Sequence, residues 1–599
     1  MNYFKTRTDS GMQRSAIVIR TSAQADGRIG SFLDVLGIER EMLTPATFLS
    51  GYAPEIAAGR ETQGVLIISG EGLRELKSEA NQSQISPASI GRAFAGTLIH
   101  SLDSSPACLR AVEDFFRGVK ISAQRLASEP LRYRISTSYP AICGALAGLT
   151  FESSESAVDS VNVGSGEGLV ERLISIGEAG ILTYVCHGTQ ELFVASASEI
   201  LDLQESASKN IDYRTCFSRV APTLIALRHL FRASCWTPEA HYGNIIIDDP
   251  PLWQRYGHLK LRELADMVDQ TGCACTIAMI PWNYRRSNRD AVGLVASRQP
   301  RLDVCIHGCN HTGAEFACQD KERLKGMLLT ARRRMDAHKR STNLPHQPVM
   351  VFPQGVFSVE AMDCLRSTGY VAAVNTEVAD CRGQGNLTLQ DLLQTAVLRY
   401  GGSPLFTRRR PADGAINFAV DSFLGKPCLV VLHHDFFRGG IKKLEEFVST
   451  LASFRPRLSW DNLENIATHS AVSRREITGR KTVRIFTDRA VIRATEPLTI
   501  IKKEKDYTKV RGVKIDNESV DFSFEDGFLR WNLEPKNDRS VSVNIATVAD
   551  PDVRVTEGSL GDKARIALRR YLCEFRDNYP AQSERLLRGF TGALPLGKA

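Results

Sequence analysis

At 599 residues the chain is too long for one hydrophobic core, and its length predicts roughly three or four domains. Its 43% apolar and 24% charged residues are those of a soluble globular protein, and a net charge of +7 is too dilute to indicate a nucleic-acid partner. No stretch approaches the ~20 apolar residues of a membrane-spanning helix, so no integral membrane segment is expected. The N-terminus lacks the basic start and apolar segment of a secretory leader, and the fourteen cysteines are scattered through apolar stretches; both point to a reduced, cytoplasmic protein.

Residues 14–235 read as an α/β domain. Strands are predicted over 15–20, 62–69, 133–136, 142–151, 180–186 and 192–195, with helices over 31–36, 90–100 and 108–119. From 240 to 470 the alternation becomes regular. Strands are predicted over 244–247, 276–280, 302–306, 349–352, 370–375 and 428–432, separated by helices over 259–270, 290–297 and 359–367. A long helix carries Leu324, Met327, Leu328, Ala331 and Met335 on one stripe. Six or seven βα units of this spacing fit a (β/α) barrel of about seven parallel strands. Residues 478–556 are short β runs with polar turns and predict a small β-sandwich. Within 558–599, Leu568, Tyr571, Leu572 and Phe575 share one helical face, predicting an amphipathic helix that docks on its own protein, the sharper alternative being a partner or a membrane surface.

Three short stretches carry the chemistry, and each stands where an apolar strand stops: Asp248-Asp249, His307-Gly-Cys-Asn-His311 and His433-His434-Asp435. Carboxylates and imidazoles at the ends of separate strands converge only if those strands lie side by side. In a parallel barrel the C-terminal strand ends are where chemistry is placed. Histidines four apart present both rings to one ion if the chain turns sharply after the strand, and Gly308 permits that turn. A carboxylate from another strand end completes three ligands and leaves positions open for water and substrate. Cys273 and Cys275 open an apolar strand and are expected in the core, not on a metal.

These motifs resemble the polysaccharide deacetylase family, the NodB-homology carbohydrate esterases, over about residues 240–440. The resemblance implies Asp248 as catalytic base, Asp249, His307 and His311 as metal ligands, and His434, which precedes Asp435, as catalytic histidine. Val351-Phe352-Pro353-Gln354-Gly355 resembles the family's Arg-x-Pro-Tyr-Gly turn; Gln354 would supply an oxyanion-binding N–H, and Val351 stands where the family has arginine. The implied cofactor is a divalent metal, zinc foremost. The implied reaction is hydrolysis of an amide or ester that removes acetyl groups from an N- or O-acetylated saccharide. Trp282 would offer a sugar-stacking face, and Arg285 beside it would attract an anionic saccharide. Two other readings fit the chain: a barrel that binds polysaccharide without cleaving it, and a scaffold whose first 235 residues dock proteins of polysaccharide biosynthesis or export.

Overall fold

The computed structural model describes residues 14–21, 25–60, 62–127, 130–166, 168–535, 538–548 and 559–579. The N-terminal part is a nine-stranded mixed sheet. Its parallel half holds Ala16–Ile19, Thr62–Ser69, Phe94–His100 and Gln190–Ala195, and Ala179–His187 begins the antiparallel half. Two expectations fail here. The predicted helix over 90–100 is instead a short helix, Pro87–Ala93, running directly into strand Phe94–His100, whose β-compatible Phe, Thr and Ile lie in the sheet centre. The predicted strand over 142–151 is largely helical, because Pro140 opens a turn of helix at Pro140–Cys143. Helix Phe217–Phe231, buried on nearly every side, carries the core of this sheet into the next part of the chain.

That next part is a parallel barrel. Its strands are β1 (His241–Asp248), β2 (Cys275–Met279), β3 (Leu302–His307), β4 (Gln347–Val351), β5 (Ala372–Asn375), β6 (Leu405–Thr407) and β7 (Cys428–Leu432). They pair in the order β6-β5-β4-β3-β2-β1-β7, all parallel. Arg409, just beyond β6, closes the ring: its N–H donates to Leu429 O at 2.9 Å, and the Val431 N–H donates to Arg409 O at 2.8 Å.

Side chains alternate between inside and outside along each strand. Ile246, Ala278, Cys305, Val349, Val351, Val374 and Leu429 fill the interior, while Ile245, Ile247, Val304 and Ile306 face the surrounding helices. On β1 and β3 the same alternation turns Asp248 and His307 inward at the C-terminal rim. Strand β6 has only three residues and no sequence period of its own, which is why the periodicity did not predict it.

The β-sandwich consists of a six-stranded and a four-stranded sheet over a common core including Val483, Ile500, Trp531 and Val543. It is joined to the barrel by a bidentate Arg366–Asp488 pair and by Phe486 and Ile501, which extend the barrel's interior cluster. Helix Leu560–Asn578 closes the described chain. No described helix is long and apolar enough to cross a membrane. All fourteen cysteines are free, and Cys273 and Cys275 are fully buried.

Candidate metal centre and its surroundings

Asp249, His307 and His311 bring one ligand atom each to within 4.8 Å of one another. Both His307 Nε2 and His311 Nε2 point at Asp249 Oδ1, at 3.3 and 3.1 Å. That oxygen is buried and has no hydrogen-bond partner. Two imidazole nitrogens converging on an orphaned carboxylate oxygen fit a divalent cation seated among them. His307 is set up for this role from behind. Its Nδ1 lies 3.1 Å from the Val351 carbonyl oxygen, which can only accept, so Nδ1 carries the proton and Nε2 offers a lone pair. Asp249 has a φ of 84°, a left-handed conformation that costs energy in a non-glycine residue and aims its carboxylate across the rim. Burial works against ionisation of Asp249, but the imidazoles of His307, His311 and His433 beside it outweigh that and hold its carboxyl well below the usual range.

The turn between the two histidines is built by groups the motif does not reveal. Gly308 has a φ of 64°, and a Cβ there would lie 2.3 Å from Pro353 Cγ, so only glycine lets the His307 loop pass the Pro353 turn. Glu315, 9% exposed, accepts N–H bonds from Cys309, Asn310 and His311 at 2.8, 3.2 and 3.1 Å. This carboxylate fixes the left-handed His311 (φ 57°) and hence the direction of its ring.

Asp248, one residue before the ligand, is buried and held by Arg408. The guanidinium donates NH1 to Oδ1 at 2.7 Å and NH2 to Oδ2 at 2.6 Å, while its Nε donates to Thr376 Oγ1 at 3.1 Å. Burial opposes the charge on Asp248; Arg408, His307 and His433 overcome it and keep the carboxyl below its ordinary value. Arg408 emerges just beyond β6, far in sequence from Val351. The sequence signal was thin: Leu405-Phe406-Thr407 followed by three arginines. Alternation divides two of those arginines, with Arg408 turning in to Asp248 and Arg409 turning out to Asp421 at 2.6 Å.

The adjacent histidines are separated in the same way. His433 reaches the centre, its Nδ1 3.6 Å from Asp249 Oδ2, and the Asp249 carboxylate beside it raises its pKa. His434 points away. Its Nε2 lies 3.7 Å from Asp577 of the C-terminal helix, its ring edge-on to Tyr256 and stacked with His258. The pair sits on opposite faces because one residue of extended chain reverses side-chain direction.

No family model and no curated protein matches the sequence. The structure is similar to those of carbohydrate deacetylases. Agd3, described as a novel carbohydrate deacetylase, aligns over 90% of this chain and 99% of its own at 8% identity and a TM-score of 0.47. The family 4 carbohydrate esterase from Streptomyces lividans aligns over 36% of this chain and 90% of its own at 13% identity and a TM-score of 0.22. The Xyl-CE4 domain of a xylanase from the hindgut metagenome of Trinervitermes trinervoides covers 38% and 90%, at 12% identity and 0.23.

The remaining expected residues fall outside the ligand group. Gln354 is exposed on the Pro353–Gly355 turn, with a left-handed φ of 58°. Trp282 is not an open platform: Tyr571 of the C-terminal helix packs edge-on against it at 5.7 Å, and the Arg286 guanidinium lies 5.0 Å from its ring centre. Arg285 is exposed and lies over Tyr284. Arg286 instead makes a bidentate pair with Glu574, at 2.6 and 2.8 Å.

Proposed function

We propose that this chain is a metal-dependent hydrolase that removes acetyl groups from an N- or O-acetylated saccharide. One observation carries the reading: a three-ligand group, a second carboxylate pinned by a buried arginine, and a half-exposed imidazole all share one barrel rim. Asp249, His307 and His311 would hold the ion, with zinc suited to this nitrogen-rich set. A divalent ion there supplies Lewis acidity toward an acetyl carbonyl and lowers the pKa of a water molecule.

Everything else is done by side chains of this protein. Asp248 takes the proton from the attacking water. Arg408 occupies one lone pair on each of its oxygens, leaving the others to accept, and stops the carboxylate from rotating. His433, whose charged form is favoured by Asp249, delivers a proton to the departing amine or hydroxyl; this role passes to it from His434, which faces away. The Gln354 N–H, on its turn beside the His307 loop, would stabilise the oxyanion. Val351, standing where the resembled family has arginine, would favour a barrel that binds without cleaving; the guanidinium of Arg408 on Asp248 supports the hydrolase instead.

The test is metal analysis of the purified protein, paired with acetate release from acetylated oligosaccharides. Wild type is expected to hold one divalent ion per chain and to release acetate. His307→Ala should lose the ion, and Asp248→Asn should keep it while losing activity. A protein that binds no ion on reconstitution, or whose acetate release survives both substitutions, overturns the proposal.

A further inference from the structure

The C-terminal helix Leu560–Asn578 is mounted the opposite way round from the usual amphipathic helix. The residues it buries are charged: Arg570 is 2%, Glu574 5% and Asp577 8% exposed. These lie at i, i+4 and i+7 and form the face turned to the barrel. Glu574 takes the bidentate bond from Arg286, the Tyr256 hydroxyl donates to Asp577 Oδ2 at 2.7 Å, and the Gly257 N–H donates to Asn578 Oδ1 at 2.9 Å. The outward face is apolar. Leu568, Leu572, Phe575 and Tyr579 are between 39% and 63% exposed and follow i, i+4, i+7 and i+11, with Tyr571 on the flank of this face, its ring edge-on to Trp282. Expectation from the sequence placed this face against the protein; the structure turns it to solvent.

A continuous row of large apolar side chains left outside is an interaction surface, not a by-product of folding. Its charge setting says what kind. With Arg570, Glu574 and Asp577 turned inward, the other charged residues of the helix are Lys563, Arg565, Arg569 and Arg576 against Asp562. Residues 560–599 hold eight basic and four acidic side chains, a net +4 of the chain's +7. Leucines and aromatics on one side, flanked by arginines, match the boundary between acyl chains and anionic headgroups.

We infer that the C-terminal helix docks the protein on an anionic lipid surface, lying in the interface with its apolar face down while its polar face grips the barrel rim. The grip is on Tyr256, Gly257, Arg286 and His434, the loops that border the metal centre, so the docked helix presents the catalytic mouth to the membrane. Resting on the proposed hydrolase activity, this narrows the substrate to a saccharide held at or growing from a membrane.

The test uses the full chain and large unilamellar vesicles, either of phosphatidylcholine alone or with roughly 30% phosphatidylglycerol. Wild type is expected to sediment with the anionic vesicles and not with the neutral ones, and to be released by salt. The triple variant Leu568→Asp, Leu572→Asp, Phe575→Asp, all at exposed positions, should lose about tenfold or more of this binding while its metal content and its acetate release from soluble oligosaccharides stay at wild-type levels. Three results overturn the inference: no sedimentation with anionic vesicles, equal sedimentation of the triple variant, or a dimer in light scattering that the triple variant dissociates. A chain ending at Tyr579 that binds vesicles when the full chain does not also overturns it, since residues 580–599 would then be what covers the face. Because vesicle binding is read without activity, a failed acetate assay with intact binding removes the hydrolase reading and leaves the surface standing.

Discussion

Asp248 and Asp303 lie inside the same barrel, one at the C-terminal rim of β1 and the other near the start of β3, and both are at most 2% exposed. Asp248 is gripped by two guanidinium bonds and stays charged. Asp303 has no hydrogen-bond partner on either oxygen, and Asn244 Oδ1 and Thr276 Oγ1, inward-facing on β1 and β2, are also unpartnered. Burial pushes Asp303 up to about 8, with Asp461 and Glu464 adding to the rise, so it is mostly neutral at pH 7. Burial alone discharges a carboxylate, whereas burial beside a fixed cation preserves its charge. One end of the barrel keeps a buried carboxylate charged and the other does not.

The largest test of that contrast is catalytic. Asp248→Asn should lower acetate release by about 10²–10⁴-fold, the range expected for removing a general base, whereas Asp303→Asn should leave turnover near wild type. Comparable losses in both would break the comparison. Next comes the partner. Arg408→Met strands a buried charge and should cost about 3–5 kcal/mol in urea unfolding, and adding Asp248→Asn should recover part of it. Full additivity of the two substitutions would show that the pair is not energetically coupled.

Smaller effects sharpen the picture. Glu315→Gln loosens the turn that aims His311 and should weaken metal affinity about 10–100-fold in a competition titration, with no change at Asp303. Asp303→Asn should stabilise the protein increasingly with pH. The folded pKa lies above the unfolded one, so the stability is intact below the ordinary Asp value of about 3.9 and is eroded as pH rises toward 8, by at most roughly 4 kcal/mol at pH 7. Thermal melts of both proteins from pH 4 to 9 check this; a constant difference in Tm would mean that Asp303 is solvated or paired. The contrasting sign belongs to Asp577, whose burial is outweighed by the nearby His434 ring and by hydrogen bonds from Tyr256 and Arg576, so its carboxyl is depressed. Its contribution is present above the ordinary Asp value and lost as pH falls through the folded value, so acid should loosen the C-terminal helix, seen as faster amide exchange in 560–578.

Much of the site was legible because its signals are local. A strand that ends in Asp-Asp, and another that ends in His-x-x-x-His with glycine in between, state their own chemistry. What was not legible depended on distant chain. Arg408 replaces nothing at Val351's position in sequence; it arrives from a three-residue strand too short to show a period. His433 and His434 are equivalent as letters, and only the direction of the chain leaving β7 sends one to Asp249 and the other to Asp577. Trp282 looked like a free platform because Tyr571 is nearly three hundred residues away.

Local patterning was enough for a barrel of parallel strands and for the three strand ends that carry the candidate site's carboxylates and imidazoles, because hydrophobic alternation and local turns are short-range properties of the chain. Tertiary structure alone decided which cation holds Asp248, which histidine faces the centre, and which face of the last helix meets the barrel. Those choices are settled by burial and by pairing charges across long separations, where the favoured arrangement is the one that leaves the fewest desolvated charges alone.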